Sequence, residues 1–165
     1  PAVSRYEDGV PPVEELDVIR EFLDECIAPI YQDCMEWFDT KVVPDVACAK
    51  RVIIRRYDEH GVLCALAIVK REPHPKICTL YVKEAYRKRG IGYHLMRKAI
   101  AHSGSEFPEC TMYAQAHHLL QPLLNHFKFK LTAMSVSITG PTICSKSGRR
   151  RKPTKTVEMV YNGPC

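Results

Sequence analysis

The run Arg87-Lys88-Arg89-Gly90-Ile91-Gly92-Tyr93 sets three adjacent cations before two glycines one residue apart. Arginine and lysine give charge-assisted hydrogen bonds to phosphate oxygens, and glycine lets a backbone N–H approach an anion with no side chain in the way. Upstream, Leu80-Tyr81-Val82 ends a strand-like stretch. Downstream, Leu95, Met96, Ala99, Ile100 and His102 follow a helical stripe to Ser103. The run therefore stands where a strand feeds a helix. At such a point the first N–H groups lack partners and the dipole end is positive, so the main chain can hold an anion such as a phosphate.

Other side chains could do chemistry. His74 lies between Pro73 and Pro75 and is a candidate general base, because imidazole titrates near neutrality; its plainer reading is a solvated turn histidine. His117 and His118 are adjacent rather than four apart, so they do not read as a metal pair. The eight cysteines include no Cys-x-x-Cys spacing and read as reduced thiols, so no metal is expected. Lys146, Arg149, Arg150, Arg151, Lys152 and Lys155 form a basic run without an acid between Cys144 and Thr156. That run is either a solvated loop or a grip for nucleic acid phosphates.

The elements that must position these residues follow from periodicity. Residues 1–12 are Pro-rich and read as a loose arm or a short first strand, and residues 13–165 as a single domain. Leu16, Ile19, Leu23, Cys26 and Ile27 recur at helical spacing, and Pro29 interrupts them. Tyr31, Cys34, Met35 and Phe38 suggest a second helix that ends before Pro44. Arg51–Tyr57 and Val62–Lys70 are β-rich runs joined by Asp58-Glu59-His60-Gly61, a hairpin turn. In the strand Ile77–Val82, alternation puts Cys78, Leu80 and Val82 on one face and Ile77, Thr79 and Tyr81 on the other. Cys110–Gln115 reads as a further strand and Leu119–Phe127 as a helix with Pro122 in or near its first turn. Leu131–Ile138 and Lys155–Tyr161 close the chain as a hairpin with a long tip.

Charge is divided unevenly. Residues 1–47 carry 3 basic and 12 acidic side chains, against 21 and 7 in the remainder, so the later part should attract anions. The longest apolar run, Val62–Val69, is far short of the roughly 20 residues a membrane-spanning helix needs. The first thirty residues carry acidic side chains and no basic start before an apolar stretch, so no secretory leader is expected and the chain is assigned to the cytoplasm.

Leu80, Val82, Tyr86, Arg87, Gly90, Gly92, Leu95 and Met96 together resemble the acetyl-CoA motif of the GCN5-related N-acetyltransferases (GNAT), a Leu-x-Val strand followed by Arg/Gln-x-x-Gly-x-Gly/Ala. The order of elements from Val13 to Tyr161 is similar too. The resemblance implies an α/β (α+β layered) fold with a mixed central sheet flanked by helices. It implies that acetyl-CoA is the co-substrate, with main-chain groups of Leu80, Tyr81 and Val82 along the pantetheine and Arg87, Lys88, Arg89, Gly90, Ile91, Gly92 and Tyr93 around the pyrophosphate. An amine would attack the thioester directly, and Tyr31, Trp37 and Phe38 would border the acceptor side unless they serve as core packing. Ala114-Gln115 to Phe129 resembles the family's next stretch with two departures: Leu124 replaces the tyrosine that protonates the leaving thiolate, and Lys128 replaces a glycine. Asn125, His126, Tyr113 and Cys144 are the substitute acids within reach. Three readings follow: an amine N-acetyltransferase, an acetyltransferase of nucleic acid or aminoacyl-RNA using the basic loop, and a CoA-binding module without catalysis. A homodimer is left open.

Overall fold

The computed structural model describes residues 4–71, 73–139 and 154–162. The elements in chain order are β1 (Arg5–Glu7), α1 (Val13–Cys26), α2 (Cys34–Trp37), a π-turn (Phe38–Val42), α3 (Val43–Ala47), β2 (Arg51–Tyr57) and β3 (Leu63–Lys70). There follow β4 (Lys76–Val82), a 3₁₀ turn (Glu84–Tyr86), α4 (Ile91–Ser103), β5 (Glu109–Tyr113), α5 (Ala114–His126), β6 (Lys130–Thr139) and β7 (Thr154–Asn162). The strands form one mixed sheet in the order β1-β2-β3-β4-β5-β7-β6, antiparallel except where β4 meets β5. The expected mixed sheet flanked by helices is what the chain adopts, and the opening residues supply the short first strand rather than only an arm.

β3 explains the longest apolar run in the sequence: Leu63 to Val69 are all buried, because helices cover both faces of this central strand. On one face Val52, Ile54, Ala65 and Ala67 meet Leu95, Met96 and Ala99 of α4 and Leu124 of α5. On the other, Ile53, Leu66 and Ile68 meet Ile19, Phe22 and Leu23 of α1 and Phe38 and Val42 beyond α2. Arg55 of β2 is buried among them at 2 % exposure. Its guanidinium pairs with Glu15 of α1 at 3.0 Å, donates to the Gly9 carbonyl at 2.7 Å and lies 3.5 Å from Glu7, which ties the first strand and first helix to the sheet.

Three expectations are corrected. The second helical segment does not stop before Pro44 but runs to Ala47. The π-turn allows this: Val43 N–H bonds to the Phe38 carbonyl, one residue further back than in an α-helix, and the widened turn relieves the clash a proline ring makes with the preceding turn. The alternation along β4 is also broken. β3 pairs Ile68 with Thr79 but Val69 with Ile77, so Cys78 is the extra residue of a bulge. Ile77 consequently joins Leu80 and Val82 in the core beneath α4, while Cys78 faces the α1 side with Tyr81. Finally, α5 starts at Ala114, directly after β5, so Pro122 is interior to it. Pro122 and His118, whose carbonyl loses its helical donor, are both exposed, and water can satisfy that carbonyl.

Candidate active site

The parallel pair β4 and β5 is joined at Lys76–Glu109 and Ile77–Cys110, and among the described residues no further pair follows. The two strands splay beyond that point. Lys83 N–H bonds to the Cys64 carbonyl across β3 at 2.9 Å. By the two-residue alternation of a strand, the main-chain groups of Val82 and Leu80 then point the other way, into the splay. Arg87 Nε donates to the Val82 carbonyl at 2.9 Å, and its guanidinium lies over the Tyr81 ring at 5.3 Å. What the strand still offers the opening is the N–H of Val82 and both main-chain groups of Leu80.

Between β4 and α4 the chain makes the 3₁₀ turn, anchored by a 2.7 Å hydrogen bond from the Tyr86 hydroxyl to Asp58 of the β2–β3 hairpin. That bond holds the Asp58 carboxyl below its ordinary value. Arg89 lies over the Tyr86 ring at 5.6 Å. Gly90 then takes φ +79°, a conformation glycine reaches without a Cβ clash, and serves as the N-cap of α4 with no side-chain cap. The N–H groups of the first turn, beginning with Ile91, Gly92 and Tyr93, lie beyond reach of any helical carbonyl. Gly92 also meets a packing demand. A Cβ there would come within 3.1 Å of Leu123 and 3.8 Å of Val82, so this glycine lets α4 pack against α5 and β4.

On the opposite face of the sheet a cavity of about 390 Å³ opens beside the base of the splay. Thr79 and Thr111 come from the two splayed strands, Tyr31 and Trp37 from the helical side, and Arg51, Lys70 and Lys76 from the strand ends. Trp37 and Tyr31 thus border this space, whereas Phe38 is wholly buried core. Arg51 pairs with Asp45 at 2.8 Å and donates to the Cys78 sulfur at 3.2 Å. Burial pushes the Cys34 thiol to about 11 and raises that of Cys78, although Arg51 opposes the latter. Sequence reasoning missed Arg51, Lys70 and Lys76. Each ends or begins a strand, and the hairpin registers were the signal that could have joined them.

The candidate acids and bases are scattered. His74 is exposed in the β3–β4 turn, at the paired end of β4, six residues or roughly 20 Å along an extended chain from Leu80. Leu124 is 1 % exposed within the core, and the helical turn carries Asn125 and His126 about 100° and 200° around from it, onto exposed surface. His126 packs edge-on against Tyr93 of α4, with ring centroids 4.9 Å apart. His117 and His118 fall in the first turns of α5. Lys128 adopts φ 59°, so it keeps the backbone conformation of the glycine it replaces. Cys144 and the basic residues Lys146, Arg149, Arg150, Arg151 and Lys152 lie outside the described residues, as does most of the tip to which they belong. Among the described residues no group of acids, histidines and cysteines could hold a metal ion, and six cysteines are free thiols.

No protein of curated function matches the chain by sequence. Solved structures do match by fold. A GNAT-family acetyltransferase from Desulfovibrio desulfuricans superposes with a TM-score of 0.66 at 10 % identity, covering 97 % of this chain and 98 % of that one. Arabidopsis thaliana NAA60, solved with a bisubstrate analogue, gives 0.64 at 14 % identity over 97 % and 98 %. A GNAT-superfamily phosphinothricin acetyltransferase from Sinorhizobium meliloti, solved with AcCoA, gives 0.64 at 14 % over 98 % and 89 %. At such identities these likenesses speak for the fold. The sequence profile of the acetyltransferase (GNAT) family matches residues 16–125, which include the splayed strand, the glycine loop and α4, and the chain therefore belongs to the GNAT acetyltransferase family.

Proposed function

We propose that the chain is an acetyl-CoA-dependent N-acetyltransferase that passes the acetyl group directly to an amine. One observation carries the reading: the same strand presents unpaired main-chain groups at Leu80 and Val82 and leads, through Arg87, Lys88 and Arg89, into an uncapped helix N-terminus. The N–H groups of the first turn of α4 and the flanking cations would hold the pyrophosphate, with Gly90 giving room. The main chain of Leu80–Val82 would run along the pantetheine, and a free N–H there would stabilise negative charge on the thioester oxygen. The structures solved with AcCoA and with a bisubstrate analogue support this choice of co-substrate.

Acetyl-CoA supplies an activated thioester; the chain holds it along β4 and opens its carbonyl to the cavity. A neutral amine nitrogen forms the new bond to the carbonyl carbon, the carbon–sulfur bond breaks, CoA departs as thiolate, and the surplus proton on the nitrogen passes to solvent water. A thiol pKa of about 8.5 makes that departure feasible without a donor at position 124, at the loss of some of the roughly 10²- to 10⁴-fold a general acid contributes. Direct attack is favoured over an acyl-cysteine relay, because burial keeps the cavity thiols Cys34 and Cys78 protonated and poorly nucleophilic.

The test is release of free CoA thiol from acetyl-CoA with pooled primary amines, measured against acetyl-CoA alone. Amine-dependent release is expected. Binding of acetyl-CoA without amine-dependent release would instead mark a coenzyme-binding module, and absence of binding would sink the proposal.

A further inference from the structure

The floor of the cavity has a feature that folding alone does not account for. In the sheet register Arg51 of β2 lies opposite Lys70 of β3, Lys70 opposite Lys76 of β4, and Lys76 opposite Glu109 of β5. Residues directly across from one another share a face, so three cations stand side by side on one rung, all lining the cavity. Like charges placed this way destabilise a sheet. The flanking members are compensated, Arg51 by Asp45 at 2.8 Å and Lys76 by Glu109 at 3.4 Å. Lys70, between them and half-buried, has no ion pair among the described residues, and Asp33, the carboxylate lining the cavity, is exposed on another wall. Lys70 is thus the member of the rung that faces the half-open cavity without an ion pair among the described residues, with Trp37 and Tyr31 alongside.

We propose that the acceptor is a small anionic amine whose carboxylate or phosphate sits on the Arg51–Lys70–Lys76 rung, with its aliphatic or aromatic body against Trp37 and Tyr31. This rests on the reading of the β4–β5 splay as the site of acetyl transfer. The rung at the base of the splay takes the anion and turns the amine up the strands towards Leu80. A cationic or neutral amine gains nothing there.

The experiment uses the full chain, acetyl-CoA and a panel of primary amines. Each amine is presented as a carboxylate, as an aminoalkyl phosphate of matched length and as the neutral carboxamide. Turnover per unit concentration should favour one or both anionic forms by roughly tenfold or more, the scale of one charge-assisted hydrogen bond, and the better anion identifies the source. In Lys70→Gln that preference should fall towards one while the acetyl-CoA affinity is kept. The variant should also unfold at an equal or higher urea concentration, since a like-charge contact is gone; a lysine kept for folding would give the opposite shift. Preference for the carboxamides, an unchanged preference in Lys70→Gln, or no turnover of any form by a chain that binds acetyl-CoA would overturn the proposal. Failure to bind acetyl-CoA would count against the coenzyme reading itself.

Discussion

Gly90→Asp is expected to weaken acetyl-CoA binding by about 100-fold or more, close to 2.7 kcal/mol, as measured by titration calorimetry. Position 90 has φ +79°, and among residues with a side chain aspartate and asparagine tolerate that region best. A Cβ placed there meets nothing nearer than His94 at 4.0 Å, so the variant should fold. Its carboxylate, however, stands at the positive end of α4 and beside Arg87, Lys88 and Arg89, where the pyrophosphate would otherwise collect those interactions. The substitution thus neutralises the local field and repels the ligand together. Gly90→Asn has nearly the same shape and strain without the charge, and its loss should stay near tenfold or below. Equal effects of the two variants would show that backbone geometry rather than anion binding is what position 90 provides.

Arg55→Ala is expected to cost about 3–5 kcal/mol of stability in urea denaturation. Arg55 is 2 % exposed and reaches Glu15, Glu7 and the carbonyls of Gly9 and Ile53. Removing it strands Glu15, which is itself only 13 % exposed at the side chain, and leaves a void between α1 and the sheet. The Tyr57 hydroxyl also bonds Glu15, so part of that carboxylate's solvation survives. Arg55→Met refills much of the volume and should recover only the packing share of the loss. A cost below about 1 kcal/mol for Arg55→Ala would mean that the Glu15–Arg55 link is replaced readily by water.

What the sequence made legible was local. The Arg-x-x-Gly-x-Gly run declares itself because the turn, the helix start and the charges lie within a few residues. The Asp58–Gly61 hairpin did so for the same reason. The β-rich run from Val62 to Lys70 was readable as a strand for the same reason. Features that depend on a partner strand stayed hidden. The bulge at Cys78 is a property of the β3–β4 register, so strict alternation placed Ile77 and Cys78 on the wrong faces. The basic rung joins residues from three strands and is visible only once their registers are known. Pro44 misled because proline normally ends a helix, and nothing local announced the π-turn that accommodates it. Gly92 carries a second demand that spacing alone does not show, the close approach of Leu123 across the α4–α5 contact. Of the candidate acids and bases, His74, Asn125 and His126 were chosen for their chemistry, yet all three face outward or sit far along the strand from Leu80.

The most direct test of the coenzyme site is an NMR titration of the ¹⁵N-labelled chain with acetyl-CoA, following backbone amides. Saturable shifts concentrated at Leu80, Val82 and the loop and first turn from Arg87 to Tyr93 are the predicted result. A lack of saturable shifts, or shifts gathered elsewhere with that strand and loop unmoved, would contradict the account.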